Sequence, residues 1–261
     1  MKANIFLNSA VLLLTVGAST AGAQGVLITQ KISRDGAEST SQVQIDKTRM
    51  RTEVADPSGS KQAVVFDGDR QALMMINQER KSYSEITKAD VDRLGGQMQD
   101  MLSKMPPEVR AKMEAMMKGR GMGTGAPVKT VYKRAGADKT AKWACDKYEG
   151  YQNTEKVSEI CTVAPGVLGL TAADFAVTQQ FVAFFKTLMP QAADGQMFGV
   201  GKPEEHGYSG IPIKSTFTIS GRTTTTEVTD VSRQTFPDAV FAPPPGFKKE
   251  ASPFGRGRGP Q

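Results

Sequence analysis

Segments in which apolar and polar residues alternate fill the first third of the chain. Met50 and Val54 fall on one side of the third segment, whereas Arg49, Arg51 and Glu53 fall on the other, as in a strand with one buried face. Glycine, proline, serine and aspartate separate the segments, as turn residues do. The pattern predicts a meander of antiparallel strands with one face in water, over residues 26–32, 40–46, 49–55, 62–66, 71–77 and 80–86.

The hydrophobic period becomes helical between residues 88 and 118. Two sets of apolar residues at helical spacing flank Pro106-Pro107: Leu94, Met98, Met101, Leu102 and Met105, then Val109, Met113, Met116 and Met117. Proline suits the first turn of a helix and disrupts its interior. The pattern therefore predicts two amphipathic helices joined at the prolines, each with a stripe made mostly of methionine.

Strands resume in the second half of the chain, with a third helix among them. Thr171 and Asp174 form an N-cap pattern, so we expect this helix over residues 172–189. Strands are predicted near residues 128–133, 142–148, 156–162, 211–220 and 222–231, and around Val240. Residues 251–261 contain two Gly-Arg repeats and, as a large apolar residue, only Phe254, which predicts a disordered tail.

Together these elements predict a β-rich α+β fold in one domain spanning residues 24–250. A sheet of about eleven strands curls rather than staying flat and open. Its apolar face has to be covered, and the amphipathic helices are the elements available. We therefore expect a strongly curved antiparallel sheet, an incomplete barrel, with helices at 88–118 and 172–189 covering its concave face.

The first 23 residues have the features of a secretory signal peptide. Lys2 is followed by an apolar run, and Ala21 and Ala23 give the small-x-small pattern that signal peptidase cleaves. The run is too short to span a bilayer. We expect cleavage after Ala23, a mature protein in the periplasm or secreted, and no membrane-spanning segment.

The two cysteines, Cys145 and Cys161, are expected to form a disulfide in that oxidising compartment. They lie in two predicted strands, and a hairpin centred on Asn153 would place them opposite each other. A redox-active pair is the alternative, but the C-x-x-C spacing is missing.

Residues suited to catalysis are few. His206 is the single histidine, so His and Cys metal sites are excluded by number. Gly121 to Ala126 read G-x-G-x-x-A, but the motif follows a predicted helix instead of a strand, which is the wrong context for a dinucleotide.

The formal net charge of +6 favours contact with anionic envelope surfaces without demanding nucleic acid. We expect a non-enzymatic protein with no cofactor and no nucleic-acid partner.

Seven of the 13 methionines lie between Met98 and Met122. Methionine makes adaptable apolar surfaces, so the stripe predicts a groove for a lipid or the acyl chain of a lipoprotein. The candidate ligand-binding residues are Met98, Met101, Met105, Met113, Met116 and Met117, with Phe181 and Phe185 as the opposite wall.

One alternative is copper handling, because thioethers bind Cu(I), with Met101, Met113 and Met116 as ligands. The other is a structural or interaction protein of the envelope in which the stripe is core.

The order of these features resembles the bacterial exported domain-of-unknown-function family 4412. The resemblance covers most of the predicted mature chain, and its short motifs are Val64-Val65-Phe66-Asp67-Gly68, Lys81-Ser82-Tyr83, Trp143-Ala144-Cys145-Asp146-Lys147-Tyr148, Gly210-Ile211-Pro212-Ile213-Lys214, Phe241 and Pro245-Gly246-Phe247-Lys248. That family is similar in architecture to the periplasmic lipoprotein carriers of the Lol type. The resemblance implies an incomplete barrel plugged by helices, with an apolar cavity, and it implies no catalytic residues.

Overall fold

The structure is a computed structural model that describes residues 23–55, 61–109, 112, 130–140, 142–188, 207–219 and 221–252. Several sequence predictions lie outside these residues. They concern the signal peptide up to residue 22, the glycine-rich motif at 121–126, His206, and the tail beyond residue 252.

Twelve strands form one sheet in the order β12-β6-β5-β4-β3-β2-β1-β11-β10-β9-β8-β7. Every neighbouring pair is antiparallel except β12 and β6. The first six strands confirm the predicted meander. The strands are β1 Ala23–Arg34, β2 Ala37–Ile45, β3 Arg49–Ala55, β4 Lys61–Asp67, β5 Ala72–Asn77, β6 Ser82–Thr87, β7 Val131–Thr140, β8 Trp143–Gln152, β9 Glu155–Val163, β10 Ile211–Ile219, β11 Arg222–Phe236 and β12 Lys248–Lys249.

The half of the sheet from β11 to β7 curls on itself. The Lys142 Nζ atom, in the turn after β7, lies 2.6 Å from the Asp230 carboxylate of β11, and the Thr140 hydroxyl donates to the Glu227 carboxylate. In a flat sheet β7 and β11 would be about 19 Å apart, because three strands lie between them. The contacts require curvature, while β12 and β7 remain the two edges of the described sheet. The predicted large, open antiparallel sheet is confirmed.

Two α-helices of the described residues accompany the sheet, α1 Lys88–Lys104 and α2 Ala176–Leu188, and residues 107–109 and 112 are also helical. The predicted N-cap of α2 is confirmed, since Thr171 and Asp174 form a capping box at the 3-10 turn that leads into it. One core cluster joins three buried residues of α2 to five of β2–β6: Val177, Phe181, Phe184, Ile45, Met50, Phe66, Leu73 and Ile86. Helix α1 contributes Val91, near its start, to this cluster.

The other face of β3–β6 is covered by the segment that follows β11. Phe241 of this segment is buried with Phe236 against β4 and β5, and the Arg49 guanidinium lies 4.5 Å from the centre of the Phe241 ring. Arg51 donates to the Val240 carbonyl oxygen at 2.9 Å and is only 6% exposed. The expectation that the Arg49, Arg51 and Glu53 face is wet was therefore wrong, because alternation cannot reveal a distant segment that folds over it.

The strand expected around Val240 was also wrong. Residues Asp238–Phe241 form a 3-10 turn, in which the Val240 N–H donates to the Pro237 carbonyl oxygen at 3.0 Å. Proline fixes the backbone at the start of this turn, and the three prolines that follow Ala242 have no N–H to donate to a neighbouring strand.

The Cys145–Cys161 disulfide is present, with Cα atoms 5.5 Å apart, as predicted. The register differs from the expected one, because Cys161 lies opposite Lys147 instead of opposite Cys145. The β8–β9 turn is centred between Asn153 and Thr154, and a register shift near Gly150 adds one more residue, so the bridge joins diagonal neighbours. A bulge of this kind leaves one residue without a partner and has little signature in the sequence.

Candidate binding cleft

One face of β4, β5 and β6 changes from apolar to polar along the strands. The strand register aligns three successive rows of side chains on this face, because residues two apart share a face. The rows run from the core toward the β5–β6 turn: Phe66-Leu73-Ile86, then Val64-Met75-Ser84, then Gln62-Asn77-Ser82. The first row is buried in the α2 cluster, the second packs partly against it, and the third is polar. This face of β4–β6, which forms the floor of a cleft, therefore has an apolar end and a polar end.

A cleft of about 500 Å³ opens over the second and third rows. Its further lining residues include Arg80 in the β5–β6 turn and Glu250 and Ala251 after β12. Small-molecule sites usually enclose roughly 300–1,000 Å³ and combine an apolar lining with a few placed polar groups. The cleft has the size and the mixed lining of such a site.

Local turn chemistry sets the position of Arg80. The Asn77 Oδ1 atom accepts a hydrogen bond from the Arg80 backbone N–H at 2.9 Å, which is a common way for asparagine to close a turn. Lys81 ends the turn in the left-handed region with φ 48°. The backbone of Arg80 is thereby fixed at the polar end of the cleft, while its side chain is exposed.

One wall of the cleft, formed by Glu250 and Ala251, is attached to β6 through β12. The Lys248 N–H donates to the Lys81 carbonyl oxygen at 2.9 Å, and the Glu250 N–H donates to the Tyr83 carbonyl oxygen at 2.8 Å. Lys249 pairs with the Glu85 carboxylate at 2.6 Å. The hydrogen bond from Lys249 is the largest influence on the Glu85 carboxyl and, with a second one from Arg70, holds its pKa below the usual value despite the opposing effect of burial.

This ion pair predicts that the wall loosens in acid. Because the folded-state pKa of Glu85 is lowered, the stabilisation is complete above the unfolded-state value of about 4.3 and is lost as the pH falls through the folded-state value. We expect amide hydrogen exchange at Glu250, relative to its intrinsic rate, to rise below about pH 4. Lys249→Gln should raise the exchange at neutral pH and reduce the acid step. Equal exchange in both proteins at all pH values would contradict this role.

Of the predicted methionine and phenylalanine walls, the structure describes the side chains of Met101, Met105, Phe181 and Phe185. Met101 is 62% exposed on α1, Met105 is half-buried, and the side chain of Met98 is not described. Met113, Met116 and Met117 lie outside the described residues, so the methionine groove and the copper site at Met101, Met113 and Met116 stay predictions. Phe181 is 4% exposed in the core, with Phe185 packed partly against it.

Sequence reasoning missed the cleft, although a signal was present. Gln62, Asn77 and Ser84 are polar although the next residue toward the core on the same face of their strand is apolar, and Ser82 follows Ser84 on that face. A single polar residue at such a position is common within one strand. Only the pairing of β4 with β5 and of β5 with β6 aligns them into a polar patch beside the core.

No other arrangement in the described residues suggests chemistry. Burial raises the pKa of Tyr208 to about 12, and it packs with Tyr132, Tyr148 and Ile160 in a structural cluster away from the cleft. Among the residues described, three or more His, Cys, Asp or Glu side chains never gather as a metal site would require. Neither described helix has the length and apolar composition needed to cross a membrane.

The fold is thus an open, curled antiparallel sheet with helices on one face and a C-terminal segment on the other. No protein-family model and no curated protein matches the chain, so the resemblance to family 4412 stays a prediction. Among solved structures, the chain is similar to an uncharacterized conserved protein from Thermus thermophilus, at 9% identity and a TM-score of 0.46, over 89% of this chain and 93% of that one.

Two further similarities are to structures that contain MucB. One is the complex of MucB with MucA(peri), at 13% identity and a TM-score of 0.35, over 82% of this chain and 52% of that one. The other is the Pseudomonas aeruginosa MucA/MucB complex, at 13% identity and a TM-score of 0.35, over 84% and 54%. This chain therefore spans about half the length of those chains. All three TM-scores lie below 0.5.

Proposed function

We propose that this protein is a non-enzymatic binding module of the bacterial cell envelope that holds one apolar or amphiphilic ligand, a lipid or the acyl chain of a lipoprotein, in the cleft on β4–β6. The observation that supports this best is the graded floor. Its apolar end continues the buried core, whereas its polar end opens to water. Such a surface fits a molecule with an apolar tail and a polar head.

The energetics favour a ligand with an acyl chain. Each buried methylene group contributes about 0.8 kcal/mol, and Val64 and Met75 offer apolar surface beside the Phe66 row. Methionine adapts its shape to an irregular partner. The rows lie about 7 Å apart along the strands, so a chain that runs parallel to the strands has its two ends in different environments.

The disulfide supports a location outside the cytoplasm, because such bonds persist in oxidising compartments. The predicted signal peptide agrees with this location. In the envelope, free acyl chains are costly to expose to water, so a module that covers one chain has a clear use there.

Binding of the neutral apolar dye N-phenyl-1-naphthylamine tests the proposal. We expect its fluorescence to rise on binding and the Met75→Gln variant to bind about tenfold more weakly, since a buried amide without a partner costs about 1–3 kcal/mol. Met101→Gln, on the exposed part of α1, is the matched control and should bind as the wild type does. Circular dichroism confirms that both variants fold.

The other outcomes separate the alternatives. Loss of binding in Met101→Gln, with Met75→Gln unchanged, would place the ligand at the methionine stripe of α1 that the sequence predicts. An absence of dye binding, together with a ligand-free mass for protein purified from its own envelope, would contradict the carrier role. A structural or interaction protein would then be the better account.

A further inference from the structure

From the charges at the mouth of the cleft, we propose that its ligand is a single-chain amphiphile with an anionic head group, and that Arg80 binds this head group. The inference rests on the proposed function and adds the class of ligand and its orientation. The apolar tail lies on the Val64 and Met75 row, and the head group lies beyond the polar row at the β5–β6 turn.

Three cations are grouped at the polar end of the cleft. Arg80 and Lys81 are consecutive in the turn, and Lys248 is hydrogen bonded through its backbone N–H to the Lys81 carbonyl oxygen. All three side chains are exposed, and none makes an ion pair with another residue that the structure describes. The neighbouring cations Arg70 and Lys249 differ, because both are paired with Glu85. Arg80 is the cation of the three that lines the cleft.

Two carboxylates lie near the same end. Glu79 belongs to the turn, and Glu250 lines the cleft. Lys61 lies at this end as well, because its carbonyl oxygen accepts a hydrogen bond from the Gln78 N–H of the turn at 3.4 Å. The four cations and two carboxylates leave a net charge of +2 there, and Arg80 borders the floor directly. An arginine guanidinium offers a rigid fork of donors that matches a carboxylate or phosphate. Glu250 opposes an anion in the cleft, so its removal is expected to strengthen binding.

The polar row connects the two ends of the ligand site. The side chains of Gln62, Asn77 and Ser82 lie between the apolar row and the turn, and they can hydrogen bond a head group or its linkage to the tail. Arg80 follows Asn77 by three residues, so the cation lies immediately past this row. The sequence of apolar, polar and cationic groups along one line is the complement of an anionic amphiphile.

A single chain fits better than the surface of a membrane. The cleft holds about 500 Å³, which is in the lower half of the usual range for small-molecule sites. A flat anionic bilayer would meet Glu79 and Glu250 together with the cations, and it would leave the apolar row uncovered. Binding to vesicles is therefore an alternative that the experiment has to exclude.

The test compares oleate with monooleoylglycerol, which carries the same acyl chain on a neutral head group. Each is used below its aggregation concentration to displace N-phenyl-1-naphthylamine from the full chain. We expect oleate to bind more tightly. Arg80→Gln should weaken oleate about threefold to tenfold, as expected for loss of one charge-assisted contact that is partly exposed, and should leave monooleoylglycerol unchanged.

Two further variants sharpen the comparison. Glu250→Gln should strengthen the binding of oleate and not that of monooleoylglycerol. Arg222→Gln, an exposed arginine at the start of β11, is the matched control and should change neither. Added sodium chloride should weaken oleate selectively, because salt screens an exposed charge pair.

The outcomes distinguish the two proposals. Equal affinity for both amphiphiles, with Arg80→Gln without effect on either, would overturn the anionic head group and leave the apolar cleft standing. Failure of the dye and both amphiphiles to bind would overturn the proposed function and this inference together. Binding to vesicles of phosphatidylglycerol without displacement of the dye by oleate would assign the cations to a membrane surface and overturn the inference.

Discussion

Replacing Phe66 by alanine is expected to lower the free energy of unfolding by about 3–5 kcal/mol, the usual cost of truncating a large aromatic residue in a core. Phe66 is 0% exposed, and its ring centre lies 5.5 Å from those of both Phe181 and Phe184. The residue thus joins the sheet to α2. Urea unfolding followed by circular dichroism measures the change.

Met101→Ala is the control for this experiment. Met101 is 62% exposed and alanine favours a helix, so we expect a change within about 0.5 kcal/mol. Because domains are stable by only about 5–15 kcal/mol, Phe66→Ala should also unfold at a clearly lower temperature. A loss below about 1 kcal/mol for Phe66→Ala would contradict the packing of α2 on this face of the sheet.

Reduction of the Cys145–Cys161 disulfide is expected to destabilise the protein by about 3 kcal/mol, from the chain entropy of a loop of this length. The cysteines are 16 residues apart in the sequence, and both are buried in a cluster with Val163, Ile213 and Val228. The bridge links β8 to β9 within the curled part of the sheet. Unfolding by urea with and without dithiothreitol gives the difference.

A Cys145→Ala, Cys161→Ala double variant separates the bond from other effects of the reductant. The stability of this variant should not change with dithiothreitol, while that of the wild type should fall toward it. Two free thiols in protein exported to the periplasm, found by mass mapping without reduction, would show that the bond does not form there and would remove the main structural support for the location.

Local patterns predicted the elements that depend on local physics. The alternation in β1–β6 is set by the two faces of a strand, and the start of α2 is set by the pairing of Thr171 with Asp174. The pairing of the two cysteines followed from their compartment and number. Each of these features needs only a few neighbouring residues, so a sequence pattern contains it.

Features that depend on distant contacts could not be predicted in the same way. Phe241 covers a face of β4 and β5 from a point more than 160 residues away. The position of the β8–β9 turn and the register shift near Gly150 together move Cys145 from its expected partner. The cleft itself exists because three strands align Gln62, Asn77 and Ser82. For the same reason, helical spacing predicted an apolar stripe that includes Met101, but it could not show which residues of the stripe pack against the rest of the protein.

Nuclear magnetic resonance of methyl-labelled methionine in complex with oleate tests the central claim most directly. The account predicts nuclear Overhauser effects between the terminal part of the acyl chain and the Met75 methyl group, and none to Met101. It also predicts that the Arg80 side-chain resonances shift with the carboxylate. Contacts from the acyl chain to Met101 but not to Met75, or a carboxylate that shifts no resonance of the β5–β6 turn, would contradict a ligand held in the cleft with its head group at Arg80.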